Sequence, residues 1–293
     1  IDDPDSAPLV RVQLDWVGVG VPEQIADLVQ AVCEAGGVFA DWVVVGVSHT
    51  HAVGLFTPNR FEKQGGELIG PYLVDVHEKL KIASREAVGG MEEAVLTYAT
   101  GRCDLAANRD YWDDEYEGHT CGYNPDAPAD DTVMVVRVTD STGRQIASIL
   151  NYGCHPTTLA WENTLISPDY VGALREVVEE ATNAPCIFVQ GACGDLGPRR
   201  GFEGDVQVAD QNGKQLGYAA LSAMMTMGPP ETEFAYLGPV VSGATLGTWG
   251  YEPIEEDRVA SISRFSGSVD VVELPYKELP KQSDLEKDLK AWQ

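Results

Sequence analysis

His49 and His51 stand two residues apart at the end of the apolar run Val43-Val44-Val45-Gly46-Val47-Ser48. Side chains at i and i+2 of a strand share a face, so the two imidazoles are expected to project together. A His-x-His pair leaving a buried strand is a common way to place imidazoles on a divalent metal. The alternative is a pair of polar residues in a loop mouth, hydrogen-bonded and inert. A third histidine, His155, leaves a second apolar segment in Asn151-Tyr152-Gly153-Cys154-His155-Pro156-Thr157. Three histidines at strand exits favour the metal reading. His77 lies inside a helical pattern and reads as a packing or surface residue.

Other polar residues recur near these exits. Ser167-Pro168 precedes a helical pattern and reads as an N-cap followed by an N1 proline. The same helix terminus could present the Ser167 hydroxyl and free N–H groups to a reacting carbonyl. Asp169 sits in the same segment. Arg109 lies in a long polar stretch and could meet an anionic group. Gln190-Gly191-Ala192-Cys193-Gly194-Asp195-Leu196-Gly197-Pro198 permits close backbone approach but lacks the Lys-Ser/Thr of a phosphate loop. Asp195 reads either as a ligand or hydrogen-bond anchor, or as a turn residue.

The elements that must position these residues follow from periodicity. A strand and its exit loop are expected over 9–20 and a helix opened by Pro22 and stopped by Gly36-Gly37. With the strand 42–47 these make a β-α-β unit. Open α/β sheets place ligands at strand carboxyl ends, where His49 and His51 lie. A second helix is expected over 72–88, a strand over 95–100, and a long polar loop over about 101–131, of a length that is usually functional or mobile. A hairpin over 132–152 turns at Asp140-Ser141-Thr142-Gly143. Further expectations are a helix to about 181, a buried strand over 186–190 and a helix over about 206–227. β-Rich text follows at 234–242 and 267–274, then a terminal helix Ser283–Trp292 capped by Ser283. The expected fold class is α/β, a mixed β-sheet core with flanking helices and a zinc site at strand carboxyl ends. One domain over 1–293 is expected, with Pro229-Pro230 as the candidate seam.

With 293 residues and 44% hydrophobic content the chain can bury a sizeable core. The formal charge of −26 argues against nucleic acid or an anionic membrane as a constitutive partner. No apolar run is long enough for a transmembrane helix, and the N-terminus shows no signal-peptide pattern. Among the six cysteines no C-x-x-C pair occurs, so a zinc ribbon is not expected. Cys103 and Cys121 could pair in an exported protein; a reduced, cytoplasmic protein is the preferred expectation. Oligomeric state is not legible.

Taken in order, Ser48-His49-Thr50-His51, Asn108-Arg109, Asn124-Pro125, Asn151 to Thr157, Leu165-Ile166-Ser167-Pro168-Asp169 and Gln190 to Pro198 resemble the neutral/alkaline non-lysosomal ceramidases. The last segment is similar to that family's Gln-x-Asn-x-Gly-Asp-x-Ser-Pro. The resemblance runs from about residue 10 to the end. It implies an N-acylsphingosine-type amidohydrolase with one catalytic zinc and a small-molecule or lipid-like acyl amide substrate. It places His49 and His155 on the zinc and His51 beside them. It also makes Ser167 the nucleophile, Arg109 an active-site arginine, and Asp169 part of the serine motif. The chain departs at Ala52-Val53-Gly54-Leu55, where the family has Ser-Gly-Pro-Gly-Gly, and at Pro168 and Tyr170, where Gly and Asn are usual. The family's Glu and Tyr ligands have no placed counterpart in 231–293, and an immunoglobulin-like tail domain has no room there.

The leading expectation is therefore zinc-assisted hydrolysis of an amide bond, by serine or water attack, with Asp169 or Asp195 orienting a histidine or shuttling a proton. The rivals are a same-fold metal hydrolase of another small amide, ester or glycoside, and a non-catalytic metal-binding or interaction domain.

Overall fold

The computed structural model describes residues 8–264, 272–273, 275 and 280–291. The chain divides into two units, one running to Ser263 and the other covering Arg264–Gln293.

The first unit begins with the expected β-α-β: β1 (Val10–Leu14), α1 (Pro22–Gly36) and β2 (Val43–Val47), with β1 and β2 parallel in the register Val10↔Val43 to Leu14↔Val47. Proline occupies the first turn of α1, where its missing N–H costs nothing, and Gly37 ends the helix at φ 67°, donating to Cys33 O. Helix α2 (Ile69–Gly89) packs beside α1. Val12, Val32 and Val38 form the small core here, with Leu80 and Val88 of α2 against it.

Next come β3 (Ala94–Arg102), β4 (Ala106–Asn108), β5 (Asp110–Asp113), β6 (Gly118–Cys121), β7 (Thr132–Asp140) and β8 (Gln145–Tyr152). The stretch 101–131, expected as one long loop, thus carries β4 and a β5–β6 hairpin. It reads as loop because these strands are three or four residues long, too short for an alternating pattern to emerge. Helix α3 (Tyr170–Thr182), β9 (Cys186–Gln190), β10 (Leu196–Pro198) and α4 (Val206–Met224) complete the part that carries the site.

The main sheet has the order β3-β7-β8-β9, antiparallel except for the parallel β8–β9 pair. Val133, Val135, Leu150, Tyr152 and Phe188 point from it into one core with Val171, Leu174 and Val178 of α3 and Leu216 and Ala220 of α4. The β1–β2 pair lies against β9, so the carboxyl ends of β2, β8 and β9 are neighbours. Short β10 pairs with β4 and ties the β9 exit to Asn108.

Helices α3 and α4 approach closely because α4 carries Gly213 and Gly217. A Cβ on Gly213 would fall 2.2 Å from Tyr170 O and 2.8 Å from Ala173 Cβ. Gly213→Ala should cost about 2–3 kcal/mol of stability, read as a lower denaturant midpoint at unchanged slope, because backbone rather than a movable side chain stands in the way. A neutral result would show that the helices can slide apart.

Beyond α4, the β-rich expectation resolves into one hairpin, β11 (Thr232–Val241) and β12 (Thr245–Pro253). The glycine-rich stretch up to Gly250 within that β-rich text runs into strand β12. A short helix, α5 (Glu256–Ile262), follows. Most of the strand expected over 267–274 lies outside the described residues. In the second unit α6 spans Gln282–Ala291, so Ser283 is inside the helix rather than its cap; Trp292 lies outside the described residues. Among the described residues no helix is long and apolar enough to cross a membrane.

Candidate metal centre

His49 follows β2 and His155 follows β8, and their rings meet with Nε2 atoms 2.9 Å apart. Each Nδ1 faces a backbone carbonyl: Val17 O at 2.5 Å for His49 and Cys193 O at 2.8 Å for His155. A carbonyl only accepts, so each Nδ1 carries the proton and donates it. With Nδ1 carrying the ring's one proton, Nε2 of each ring is the acceptor, and two lone pairs face one another. That arrangement is unfavourable unless a cation shares them, and the donor set therefore fits a metal ion. His51 completes the group: one nitrogen from each of the three rings lies within 4.8 Å of the others. Its ring stands 5.0 Å from that of His49 and 5.2 Å from that of His155.

The backbone explains why the rings converge. His49 has φ 68°, in the left-handed region, at a cost of about 1–3 kcal/mol. It is held there by its N–H donating to Trp16 O at 2.9 Å and by the Nδ1 bond to Val17. Trp16 is itself buried, its indole donating to Tyr72 Oη and its ring against Phe56. On the other side, a Cβ on Gly153 would fall 2.5 Å from Ala192 O, and one on Gly191 would fall 3.0 Å from Gly153 N. The bare backbones of these two glycines let the β8 and β9 exits touch, which brings Cys193 O to His155. His51 N donates to Pro156 O, stitching the histidine loops to each other.

Arg109 donates from N to Asp195 O and from Nε to Gly194 O, so the β9 exit loop carries it. Its charge reaches the histidines. Burial, the two neighbouring imidazoles and Arg109 lower the pKa of His51 to about 4. Burial lowers His155 too, helped by Arg109 and His49 and opposed by the Cys193 carbonyl. Folded His51 thus binds its proton later than an unfolded histidine at ~6.5. The stability this gives is complete above that value and drains away as pH falls toward about 4. The unfolding midpoint of metal-free protein should drop over that window, and His51→Gln should flatten the drop. An unchanged slope in the variant would remove His51 as its source.

Ser167 and Asp169 fall beside this group in a way the sequence did not anticipate. Helix α3 starts at Tyr170 and its cap is Asp169, not Ser167. Asp169 Oδ1 accepts from Tyr170 N at 2.6 Å and Oδ2 from Leu159 N at 2.8 Å. Asp169 O accepts from Gly172 N, so amides expected to be open to an oxyanion are already engaged. Asp169 is 2% exposed with φ 58° and ψ −147°, and burial raises its pKa. Ser167 Oγ accepts from Asp169 N at 3.0 Å. Ser167 lies against the histidine segment, its N donating to Ala52 O and its carbonyl accepting from Thr50 Oγ1 at 2.8 Å.

The rings of His49 and His155 are therefore oriented by the carbonyls of Val17 and Cys193, while for Asp169 and Asp195 the sequence leaves open orienting a histidine or shuttling a proton. Asp195 is exposed and contributes its backbone carbonyl to Arg109. A main-chain acceptor leaves no mark on residue type, so no pattern could have pointed to residues 17 and 193. The glycines at 153 and 191 were the visible trace of the contact.

No protein-family model matches the sequence, and no curated protein does. Solved structures do. A structure described as ceramidase complexed with C2 superposes with a TM-score of 0.58 at 18% identity, covering 95% of this chain and 49% of its own. The neutral ceramidase from Pseudomonas aeruginosa gives 0.52 at 16% identity, covering 76% of this chain and 40% of its own. The chain thus has the fold of the neutral ceramidases and spans at most about half the length of these two structures.

Proposed function

We propose that this chain is a zinc-dependent hydrolase that cleaves the amide (N-acyl) bond of a lipid-like substrate. The observation that carries the reading is the convergence of the unprotonated Nε2 atoms of His49 and His155, with His51 alongside. The shared fold and the order of the sequence motifs support the amide as the bond cleaved. His49 and His155 would hold the ion, with His51 as the third donor or the neighbouring base. A bound zinc supplies Lewis-acid polarisation of a carbonyl and acidification of a water.

The chain's own residues do the rest. The Val17 and Cys193 carbonyls keep both Nδ1 positions protonated and so keep both Nε2 positions available. Arg109, fixed by its bond to Gly194, offers its guanidinium to the developing charge on the substrate oxygen. Ser167 Oγ uses one lone pair on Asp169 N, which leaves its own proton free to be given up. His51, neutral at pH 7, is the base we assign to take a proton from that hydroxyl or from water.

A second reading, hydrolysis of a different small amide, ester or glycoside, rests on Ala52-Val53-Gly54-Leu55. These residues follow the histidine pair directly and differ from the family's pattern. The test is a panel of long-chain ceramide and short polar amides, assayed with zinc, after chelation and after zinc is restored. Release of fatty acid from ceramide that chelation stops and zinc restores is the expected result. Turnover of the polar set alone would select the second reading. Stoichiometric zinc with no hydrolysis would make the chain a metal-binding domain.

A further inference from the structure

We propose that Trp16, held by Tyr72, is the positioning residue that sets the direction and tautomer of the His49 ring. The proposal rests on the metal reading of the site for its consequence, and adds what prepares one of the ligands. His49 bonds to two consecutive residues of one loop, its N–H donating to Trp16 O and its Nδ1–H to Val17 O. The ring therefore points where residues 16 and 17 aim their carbonyls. The β1–β2 register ends at Leu14↔Val47, so residues 15–17 need other anchors. Side chains supply them. Asp15 pairs with Arg175 of α3 at 2.5 Å. Trp16 is 3% exposed, donates from Nε1 to Tyr72 Oη at 2.8 Å, and packs on Phe56 with ring centroids 5.1 Å apart.

The Tyr72 and Phe56 rings are 4.8 Å apart, so the three aromatic side chains form one cluster. Tyr72 belongs to the first turn of α2, and Phe56 lies in the segment that follows the histidine pair. Gln24 of α1 joins the two loops, its side chain accepting from Gly20 N at 3.1 Å and donating to Phe56 O. A Cβ on Gly20 would fall 2.2 Å from Thr57 Cγ2, so these loops are in close contact. The histidine segment is thus gripped at both ends, at His49 and beyond His51.

The Tyr72 hydroxyl is the member on which the rest depends. A buried indole N–H without an acceptor is costly, and Trp16 would shift to find one. His49 sits at φ 68°, a conformation that persists only while its surroundings impose it. Once the two carbonyls move, Nδ1 loses its acceptor and Nε2 competes for the ring proton. His155 has a separate support, the Cys193 carbonyl at the β9 exit. A change at Tyr72 should therefore reach one ring and spare the other, which a general loss of packing would not do.

The test is nitrogen-15 NMR of the histidine rings in the metal-free full chain at pH ~8, above the ordinary histidine value of ~6.5. In the wild type His49 and His155 should both carry the proton on Nδ1. Tyr72→Phe should turn His49 into a mixture of tautomers and leave His155 unchanged, the second signal also reporting an intact fold. Zinc titration of the same variant should show a dissociation constant raised about ten-fold, the low end for residues that orient a ligand. In a Trp16→Phe background Tyr72→Phe should add nothing, because the indole donor is already gone. An unmoved His49 signal in Tyr72→Phe, or equal changes at His49 and His155, would overturn the proposal. So would additive effects of the two substitutions. Wild-type protein that binds no zinc would reject the hydrolase reading, and the ring signals would still decide whether Trp16 and Tyr72 set His49.

Discussion

His155→Ala should release the metal and end hydrolysis together. Loss of a residue that merely orients a ligand already weakens metal binding about 10–100-fold, and loss of the ligand itself should exceed that. The clearest readout is thermodynamic. Zinc held by the folded form alone stabilises it by about 4 kcal/mol at a thousand-fold excess over Kd. Wild-type protein should therefore unfold later when zinc is added, and the variant should not respond. The substitution also strands the Cys193 carbonyl, which accepts from the His155 ring. That adds a metal-independent loss of about 1–3 kcal/mol. Comparing the two proteins without metal isolates this second term. His49→Ala should behave alike, with one difference: it removes a non-glycine side chain from a left-handed backbone without relieving the strain, because Ala has no easier access to φ 68°. A variant that keeps stoichiometric zinc and its zinc-dependent midpoint would remove the histidine from the centre.

The second large effect is expected at Asp169, which the structure makes the hinge between the α3 cap and the histidine loops. Removing its carboxylate strips the cap from Tyr170 N, worth about 1–2 kcal/mol, and orphans the Leu159 amide, about 1–3 kcal/mol more. Asp169→Ala should therefore lose about 2–5 kcal/mol. Asp169→Gly should lose less, because glycine adopts φ 58°, ψ −147° without strain. The order wild type, Gly, Ala in denaturant midpoint separates strain from hydrogen bonding. Equal losses in both variants would show that the strain is not energetically significant. In either variant the Ser167 bonds to Thr50 and Ala52 lose their footing. Zinc-dependent hydrolysis should accordingly fall more than zinc content. The reverse order would place Asp169 on the metal rather than behind the serine.

Long-period features were legible in the sequence because they depend on local chemistry. The Val43–Val47 run is a strand since β-branched residues pack on a pleated surface, and Pro22 and Gly37 bracket α1 by their backbone limits alone. The hairpin at Asp140-Ser141-Thr142-Gly143 was likewise visible, since Asp140 closes its own turn by accepting from Thr142 and Arg144. The β5–β6 hairpin was not, because its strands are only four residues long and their pairing overrode text that reads as loop.

By itself the sequence determined that His49 and His155 leave strand ends and that Gly153 and Gly191 stand beside such exits. Their separation along the chain says nothing about distance in space. Only the tertiary structure decided that the β2, β8 and β9 exits lie side by side, with the two imidazoles facing each other at 2.9 Å. It also decided that backbone carbonyls rather than carboxylates set their tautomers, and that Asp169 rather than Ser167 caps α3. The physical reason is the same in each case. A main-chain acceptor is present at every residue, so its use depends on which backbones the packing brings together, not on residue type.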